Sequence, residues 1–434
     1  MRNHATPAKD KTRGLRRRRI GWCFFMLGLL CPGFSLFRAL EGEAAAAAAP
    51  SALRVMTYVQ DGPSLTLRDE DADKLDQLNY AFALLQDGKA SGAHWQSIAA
   101  FSAYLERHPH ITGVLSVGGW GTEGFSDAAA TAEGRERLAE SMLALMDRHG
   151  FRGLDVDWEY PGTDAGGLKH REEDWENYLA LLSLLREGLD NRAEASGQAY
   201  VLSIALGASE KLIGAVDGPR LAALVDQVNL MTYDLAGFEH TTGHHAALYP
   251  AGDEPSGGAY AVQLCLAQDI PAEKLNLGAA FYGRVWRGVP AAQHGLHQQA
   301  DTTGSRFATY NELRALLAAG KTTRYFDEEA QSPWLYDGHS FISYEDAASL
   351  RAKAAYAREH HLLGIFAWSL EHDSSGELLR PCVRLKAAAV PPPGASPLHE
   401  AQAQRRSPSP TATRPPASAA PSPSSARRKS RSTR

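Results

Sequence analysis

Between Leu53 and Leu385, short apolar runs alternate along the chain with stretches of helical periodicity. This alternation is typical of parallel strands joined by crossover helices. Two helices are predicted most clearly, over 131–148, where Gly150 follows, and over 175–189. The pattern predicts eight strands, at Arg54–Val59, Gln77–Leu84, Thr112–Val117, Gly153–Trp158, Tyr200–Leu206, Gln227–Thr232, Leu275–Phe281 and Leu363–Trp368.

Eight strands alternating with helices over this length predict an α/β fold, a (β/α)8 TIM barrel with its active site at the strand C-termini. One connection is longer than the rest: residues from about 286 to 343 precede a last helix that begins near Tyr344. A segment of this length is rarely structureless inside a compact domain. We therefore predict a small α+β subdomain, inserted after the seventh strand, that raises one wall of a cleft.

The end of the predicted fourth strand carries three acids at every second position, Asp155, Asp157 and Glu159. Because side chains alternate along a strand, the acids share one face, and Val156 and Trp158 take the other. A buried unpaired carboxylate is strongly penalised, so such a row favours a proton-handling site. The alternative is an acidic edge strand that faces water.

Paired carboxylates suit glycoside hydrolysis, in which one group protonates the leaving oxygen. Glu159 is nearest the predicted mouth and is the best placed proton donor. Asp157 would raise the pKa of Glu159 by like-charge coupling, and Asp155 beneath would share the proton. Asp234 is the only comparable acid at another strand end, so a separate carboxylate nucleophile is not evident. This favours a substrate that supplies its own nucleophile, such as a 2-acetamido sugar.

Residues 153–161, Gly-Leu-Asp-Val-Asp-Trp-Glu-Tyr-Pro, resemble the signature of glycoside hydrolase family 18, the chitinases. The resemblance covers residues 53 to 385, and the insertion, with 326–327 and 341–344, resembles that of the deep-cleft subfamily. Further runs resemble the motifs of the second, third, sixth, seventh and eighth strands: 80–83 (Tyr-Ala-Phe-Ala), 116–120 (Ser-Val-Gly-Gly-Trp), 231–234 (Met-Thr-Tyr-Asp), 281–284 (Phe-Tyr-Gly-Arg) and 364–368 (Gly-Ile-Phe-Ala-Trp).

The resemblance implies a role for each acid of the row. Glu159 would be the acid/base, and Asp157 would orient the substrate acetamide and stabilise an oxazolinium intermediate. Asp155 would tune Asp157 from below, with Ser116 as a hydrogen-bond partner. Tyr233 would donate a hydrogen bond to the acetamide oxygen.

The resemblance also implies a sugar-binding lining. Trp368 would form the floor beneath the distorted sugar, and Trp120 would stack on the leaving-group side. Aromatic faces bind the apolar face of a pyranose, while a few polar groups orient it. The complete predicted lining is Tyr58, Phe82, Trp120, Met231, Asp234, Tyr282, Arg284 and Trp368.

Some positions depart from the family pattern. Arg152 stands where an acid is usual, and Ala280 stands where proline is common. Phe238 and Glu239 fall where a tryptophan is frequent. We expect these departures to change packing and sugar subsites and to leave the catalytic acid in place. Family members that only bind chitin typically lack the glutamate, and this chain keeps it as Glu159.

Metal and cofactor sites are not predicted. His240, His244 and His245 have a spacing that fits no closed metal site. The chain also lacks a phosphate-cradling glycine loop and a dinucleotide fingerprint. The resemblance likewise implies catalysis without a cofactor.

The two ends of the 434-residue chain differ from the middle in composition. Residues 1–50 combine a basic region, an apolar stretch and small residues in the order of an export signal, with an uncleaved anchor as the alternative. Residues 51–388 form the predicted catalytic barrel. Residues 389–434 form a Pro- and Ser-rich basic tail, predicted to be disordered. Cys265 and Cys382 are too few for a disulfide framework.

Together these features predict a secreted or periplasmic chitinase that cleaves β-1,4 bonds in chitin or chito-oligosaccharides with retention of configuration. We expect a monomer that has no nucleic-acid partner and no stable membrane association after signal cleavage. One alternative is another N-acetylglucosamine-directed glycosidase, acting on peptidoglycan or N-glycan cores. The other is a chitin-binding lectin without turnover.

Overall fold

A computed structural model describes residues 53–386, apart from residues 64, 66, 251, 253 and 254. The strands are β1 Arg54–Gln60, β2 Gln77–Gln86, β3 Lys89–Ser91, β4 Thr112–Gly118, β5 Gly153–Asp157, β6 Val201–Gly207, β7 Gln227–Met231, β8 Leu275–Ala280, β9 Tyr282–Arg287, β10 Arg306–Thr309, β11 Thr323–Asp327, β12 Ser332–Tyr336, β13 Ser340–Ser343 and β14 Gly364–Trp368. The α-helices are α1 Asp69–Ala72, α2 Ile98–Arg107, α3 Phe125–Ala129, α4 Ala132–Arg148, α5 Asp174–Ser196, α6 Glu210–Ile213, α7 Gly218–Leu224, α8 Gly258–Ala267, α9 Tyr310–Ala318, α10 Ala347–Glu359 and α11 Leu379–Lys386.

Eight strands form a closed parallel barrel in the order β1, β2, β4, β5, β6, β7, β8 and β14. β1 pairs with β2 on one side and with β14 on the other, and this pairing closes the sheet. The predicted (β/α)8 barrel is confirmed, and each strand end lies within two residues of its predicted position. Helix α5 runs seven residues past its predicted end, to a left-handed cap at Gly197.

The alternation in β5 places its two faces in different environments. Leu154, Val156 and Trp158 belong to the main hydrophobic core, where Trp158 stacks on Phe125 of α3 with ring centroids 5.2 Å apart. The acids at the alternate positions therefore point into the barrel. This is the face assignment that the sequence pattern predicts.

The predicted insertion is a five-stranded antiparallel sheet, in the order β10-β9-β13-β12-β11, together with α9. It begins at Tyr282 and not near Trp286, because β9 starts one residue after barrel strand β8 ends. Its own core contains Trp286, Trp334, Tyr336 and Phe341. The helix expected near Tyr344 begins at Ala347, after Asp346 caps it by accepting from the backbone N–H groups of residues 348 and 349.

The predicted export signal and basic tail lie outside the described residues. Among the helices that the structure describes, none combines the length and apolar character needed to cross a membrane. Cys265 and Cys382 are both buried and both free. The described part of the chain is therefore held together by its core.

Candidate active site

A cavity of about 830 Å³ opens where the barrel strands end. Eleven of the twelve predicted site residues line it, and the twelfth, Asp155, is fully buried on β5 one strand repeat before Asp157. Further lining residues come from the segments that follow β5, β6 and β7, including helices α6 and α8, and from the insertion: Tyr160, Glu210, Leu212, Phe238, Tyr260, Ser305 and Phe307. The structure therefore gathers residues from strands far apart in the sequence around one hollow.

Asp155 accepts four hydrogen bonds inside the barrel. Its Oδ2 accepts from the hydroxyls of Tyr58 (2.9 Å) and Ser116 (2.6 Å). Its Oδ1 accepts from the Ser203 hydroxyl (2.6 Å) and the Asn229 side-chain amide (3.2 Å). Burial raises the pKa of this carboxyl, and the four donors oppose the rise by favouring the charged form. The predicted contact with Ser116 is confirmed.

Asp157 differs from Asp155 in lacking such partners. Its side chain is buried, and no described residue forms a hydrogen bond with its Oδ1. Burial first, and then the charges of Glu159 and Asp155, raise the pKa of Asp157 well above its usual value. Asp157 therefore presents to the cavity a buried acceptor oxygen that no described residue fills.

Glu159 lies two residues beyond the end of β5 and lines the cavity. Burial first, and then the charge of Asp234, raise its pKa to about 7, against a hydrogen bond with Tyr160. Burial is the larger cause, and the like-charge coupling between Asp157 and Glu159 that the sequence predicts is present in the pair, where it raises the pKa of Asp157. Glu159 is still a carboxyl that can carry a transferable proton near neutral pH.

Asp234 is held as a carboxylate by two basic side chains. Arg284 binds it in a bidentate pair, with Nε–Oδ1 at 2.7 Å and Nη2–Oδ2 at 2.6 Å. The Nδ1 atom of buried His245 lies 3.6 Å from Asp234 Oδ1. Burial would raise the pKa of Asp234, but His245 and Arg284 together lower it. Asp234 therefore supplies a fixed negative charge beside Glu159.

Tyr233 is a neutral donor at the same mouth. Burial first, and then the carboxylates of Asp157 and Glu159, raise the pKa of its phenol well above the usual value. Gly278 lets its ring approach the next strand, because a Cβ there would lie 3.0 Å from Tyr233 Cε1. The phenol consequently keeps its proton for a hydrogen bond.

Aromatic side chains form the floor and rim of the cavity. The Trp368 ring stacks on Phe82, with centroids 5.4 Å apart at 20°, and lies 5.5 Å from the Tyr58 ring. Trp120, with 60% of its surface exposed, stands at the rim. Phe307 of the insertion stacks on Tyr282 at 4.6 Å, so both of these insertion aromatics face the cavity.

The departures from the family pattern have structural counterparts. Arg152 is absent from the cavity lining, and its guanidinium donates to the carbonyl of Ile111 at 3.2 Å. Ala280 uses the N–H that a proline would lack, since it donates to Glu345 Oε1 at 2.9 Å. Phe238 is 61% exposed and covers the Arg284 guanidinium at 5.1 Å.

Sequence reasoning missed several residues around the acids. Ser203 and Asn229 bind Asp155, and the available signal is a polar residue inside an apolar strand: Ser203 alone in β6, and Asn229 two positions after Gln227 in β7. Tyr160, which bonds Glu159, directly follows the acid row. No sequence signal places His245 beside Asp234.

Within residues 53–386, with the gaps given above, no group of three His, Cys, Asp or Glu side chains is arranged to hold a metal ion. His244 instead pairs with Asp327 of the insertion, with Nε2 and Oδ2 3.2 Å apart. His240 Nδ1 donates to the carbonyl oxygen of Ala300, 3.1 Å away. His244 and His240 thus join the loop after β7 to the insertion.

Comparisons with known proteins identify the family. The family model described as glycosyl hydrolases family 18 matches residues 54–373. Chitinase A1 of Niallia circulans is 37% identical over 295 residues, which is 63% of this chain and 42% of that relative. A solved family 18 N-acetylglucosaminidase from Paenibacillus barengoltzii superposes with a TM-score of 0.72 at 35% identity, covering 77% of this chain and 99% of that one.

A class V chitinase from Nicotiana tobaccum, solved in complex with NAG4, superposes with a TM-score of 0.70 at 28% identity, covering 78% of this chain and 100% of that one. The matched region of this chain spans less than half the length of the Niallia circulans relative. The family match extends over most of the barrel and includes the acid row of β5. This chain therefore belongs to glycosyl hydrolases family 18.

Proposed function

We propose that this glycosidase is a chitinase that hydrolyses β-1,4 bonds between N-acetylglucosamine residues by substrate-assisted catalysis with retention. The observation that carries the proposal is the pair formed by Asp157 and Glu159. Asp157 presents a buried oxygen without a hydrogen-bond partner among the described residues, next to a carboxyl whose pKa is about 7. An acetamide N–H of the substrate can donate to the Asp157 oxygen, and the glycosidic oxygen can take the proton of Glu159.

In the first step, Glu159 donates its proton to the glycosidic oxygen while the acetamide carbonyl oxygen attacks the anomeric carbon. The bond to the leaving sugar breaks, and an oxazolinium ring forms on the substrate. Tyr233 donates to the acetamide oxygen and aligns it for attack. The negative charge shared by Asp155 and Asp157 stabilises the positive charge of the ring.

In the second step, Glu159, now a carboxylate, takes a proton from water as the water attacks the anomeric carbon. The oxazolinium ring opens and regenerates the acetamide. Two inversions at one carbon restore the starting configuration, so the product is the β-anomer. Trp368 beneath the sugar and Trp120 on the leaving-group side hold the chain by stacking.

The choice of N-acetylglucosamine polymers is supported by the relatives. Chitinases are found among both the sequence and the structural matches, and the tobacco enzyme was solved with NAG4. The matched region covers 42% of Chitinase A1, so the name of that relative supports the substrate class as a proposal for this chain. The N-acetylglucosaminidase match keeps the release of single sugars as a second candidate activity.

Time-resolved product analysis on chitohexaose tests the proposal. We expect β-anomeric products, mainly chitobiose, in the presence of EDTA. Release of N-acetylglucosamine alone would favour the second candidate, and release of glycans from glycoproteins with intact chitohexaose would favour an N-glycan-core enzyme. Binding of chitohexaose without any cleavage would identify a lectin and contradict the proposal.

We also propose that residues 1–50 direct export and that the mature chain is secreted or periplasmic. The support is the order of basic, apolar and small residues in this segment. Cell fractionation with N-terminal sequencing of the mature protein tests it. An uncut N-terminus in the membrane fraction would indicate an anchor instead.

A further inference from the structure

Lys353 and Glu345 form an ion pair with both side chains fully buried, outside the catalytic machinery described above. Lys353 Nζ and Glu345 Oε1 are 2.7 Å apart. Removing two charges from water carries a large penalty that a single ion pair does not reliably offset. A buried pair of this kind therefore calls for an account of what its remaining polar atoms bind.

Both members of the pair bind backbone at the ends of β7 and β8. Lys353 Nζ donates to the carbonyl oxygens of Gly278 (2.8 Å) and Thr232 (3.4 Å). Glu345 Oε1 also accepts from the backbone N–H of Ala280 at 2.9 Å. The pair thus reaches from the outside of the barrel to Thr232, the residue before Tyr233, and to Ala280, two residues before Tyr282.

The β7 and β8 strand ends need such support because their ladder stops early. Backbone pairing between them ends at Leu230 and Leu277, although β8 continues to Ala280. Beyond that point Thr232 turns back, donating its N–H to the carbonyl of Leu230 at 2.8 Å. Side chains replace the missing ladder: Thr232 Oγ1 donates to the Gly278 carbonyl at 2.8 Å, and Lys353 Nζ binds the same oxygen.

This arrangement positions Tyr233, the residue that follows Thr232. The Tyr233 ring packs so closely on β8 that a Cβ at Gly278 would lie 3.0 Å from it and 2.7 Å from the Leu230 carbonyl. A shift of the β7 end relative to β8 would therefore move the phenol. We propose that the Lys353–Glu345 pair positions Tyr233. The phenol is thereby held where it can donate to the acetamide oxygen while that oxygen attacks the anomeric carbon.

This inference rests on the proposed substrate-assisted function, and a double-mutant cycle tests it. The variant Lys353→Met with Glu345→Gln removes both charges, and the glutamine oxygen can still accept from Ala280. We expect kcat on chitohexaose to fall by about tenfold or more, with KM changed less. In a Tyr233→Phe background the same pair of changes should lower kcat by less than about threefold, because the phenol has already been lost.

Lys274→Met is the matched control. Lys274 Nζ also caps two carbonyl oxygens, those of Ala222 (2.5 Å) and Val225 (2.7 Å), but just before β8 begins, at the opposite end of the barrel. We expect this variant to lower stability without coupling to Tyr233→Phe. Equal, additive losses of kcat in both backgrounds for Lys353→Met/Glu345→Gln would show a purely structural pair and overturn the proposal.

A second variant and a second readout make the test independent of folding and of turnover. Thr232→Val removes the other side-chain bridge to Gly278 and should show the same coupling with Tyr233→Phe, to a smaller extent. The ¹⁹F signal of 3-fluorotyrosine at position 233 should move in the Lys353 or Thr232 variants and not in Lys274→Met. If wild-type enzyme leaves chitohexaose uncut, the proposed function fails, and an unmoved ¹⁹F signal separately overturns the positioning role.

Discussion

Two layers of the barrel interior, one strand repeat apart on β5, each contain a buried aspartate, and the two aspartates differ in their hydrogen-bond partners. In the lower layer, Asp155 accepts hydrogen bonds from side chains on β1, β4, β6 and β7. In the upper layer, Asp157 is equally buried but has an oxygen that no described residue binds. Buried polar groups normally find partners. The unpartnered oxygen of Asp157 therefore indicates that the upper layer is where a substrate group donates a hydrogen bond.

The two aspartates also differ in what acts on their pKa values. Burial raises the pKa of both, but four donors oppose the rise at Asp155, whereas the charges of Glu159 and Asp155 add to it at Asp157. Glu159, at the mouth, has a pKa of about 7. Along its inner face β5 thus holds, in order, an aspartate with four donors, an aspartate with an unfilled acceptor oxygen and a glutamate that can transfer a proton near neutral pH.

The largest effect is expected at the upper layer, from Glu159→Gln. The amide keeps the shape of the side chain but has no proton to transfer, so turnover of chitohexaose should fall by about 10²–10⁴-fold. Oligosaccharide binding, measured by calorimetry, should largely survive. More than a few percent of wild-type turnover would contradict the role of Glu159 as the acid.

Asp157→Asn should come next. The amide places an N–H where an acceptor and a negative charge are needed, so kcat should fall by about 10²-fold. Arg152→Asp, on the outer side of the same strand, is the matched control and should change kcat little. A larger loss in Arg152→Asp than in Asp157→Asn would mean that the two faces of β5 have been assigned wrongly.

The pKa of Glu159 sets the alkaline limit of activity. Above about pH 7 the proton donor is lost, and kcat/KM should fall about tenfold per pH unit. Because its folded pKa is raised above the ordinary 4.5, Glu159 stabilises the fold fully below pH 4.5 and loses this contribution as pH rises through 7. Urea unfolding at pH 5 and pH 8 should show a fall in wild type that is smaller in Glu159→Gln. An equal fall in both proteins would assign the pH dependence to other groups.

The smallest effect on catalysis is expected in the lower layer, from Ser203→Ala. Removing one of four donors leaves Asp155 anchored, so kcat should fall only a few-fold. The free energy of unfolding should drop by about 1–3 kcal/mol, because a buried carboxylate loses a hydrogen bond. Chemical denaturation and initial rates measure the two effects. A loss of kcat as large as that of Asp157→Asn would show that the two layers work as one.

Much of the fold could be predicted because periodicity is local. The strand ends lie within two residues of the predicted positions, and the acid row on β5 indicates its own inner face. The insertion begins at Tyr282, before its predicted start near Trp286, since β9 follows β8 after a single residue and no turn or helix separates them in the sequence. The residues of the site were assigned by resemblance to a family and then located around one cavity.

The sequence by itself determined the period of the strands, the alternation of acids and apolar residues on β5, and the set of residues available for chemistry. Only the tertiary structure decided which acid is satisfied and which is not. That outcome depends on donors such as Ser203 and Asn229, which lie 48 and 74 residues away along the chain and reach Asp155 only when the barrel closes. Burial works in the same way, since the pKa of Glu159 depends on the walls that the closed barrel and the insertion build around it.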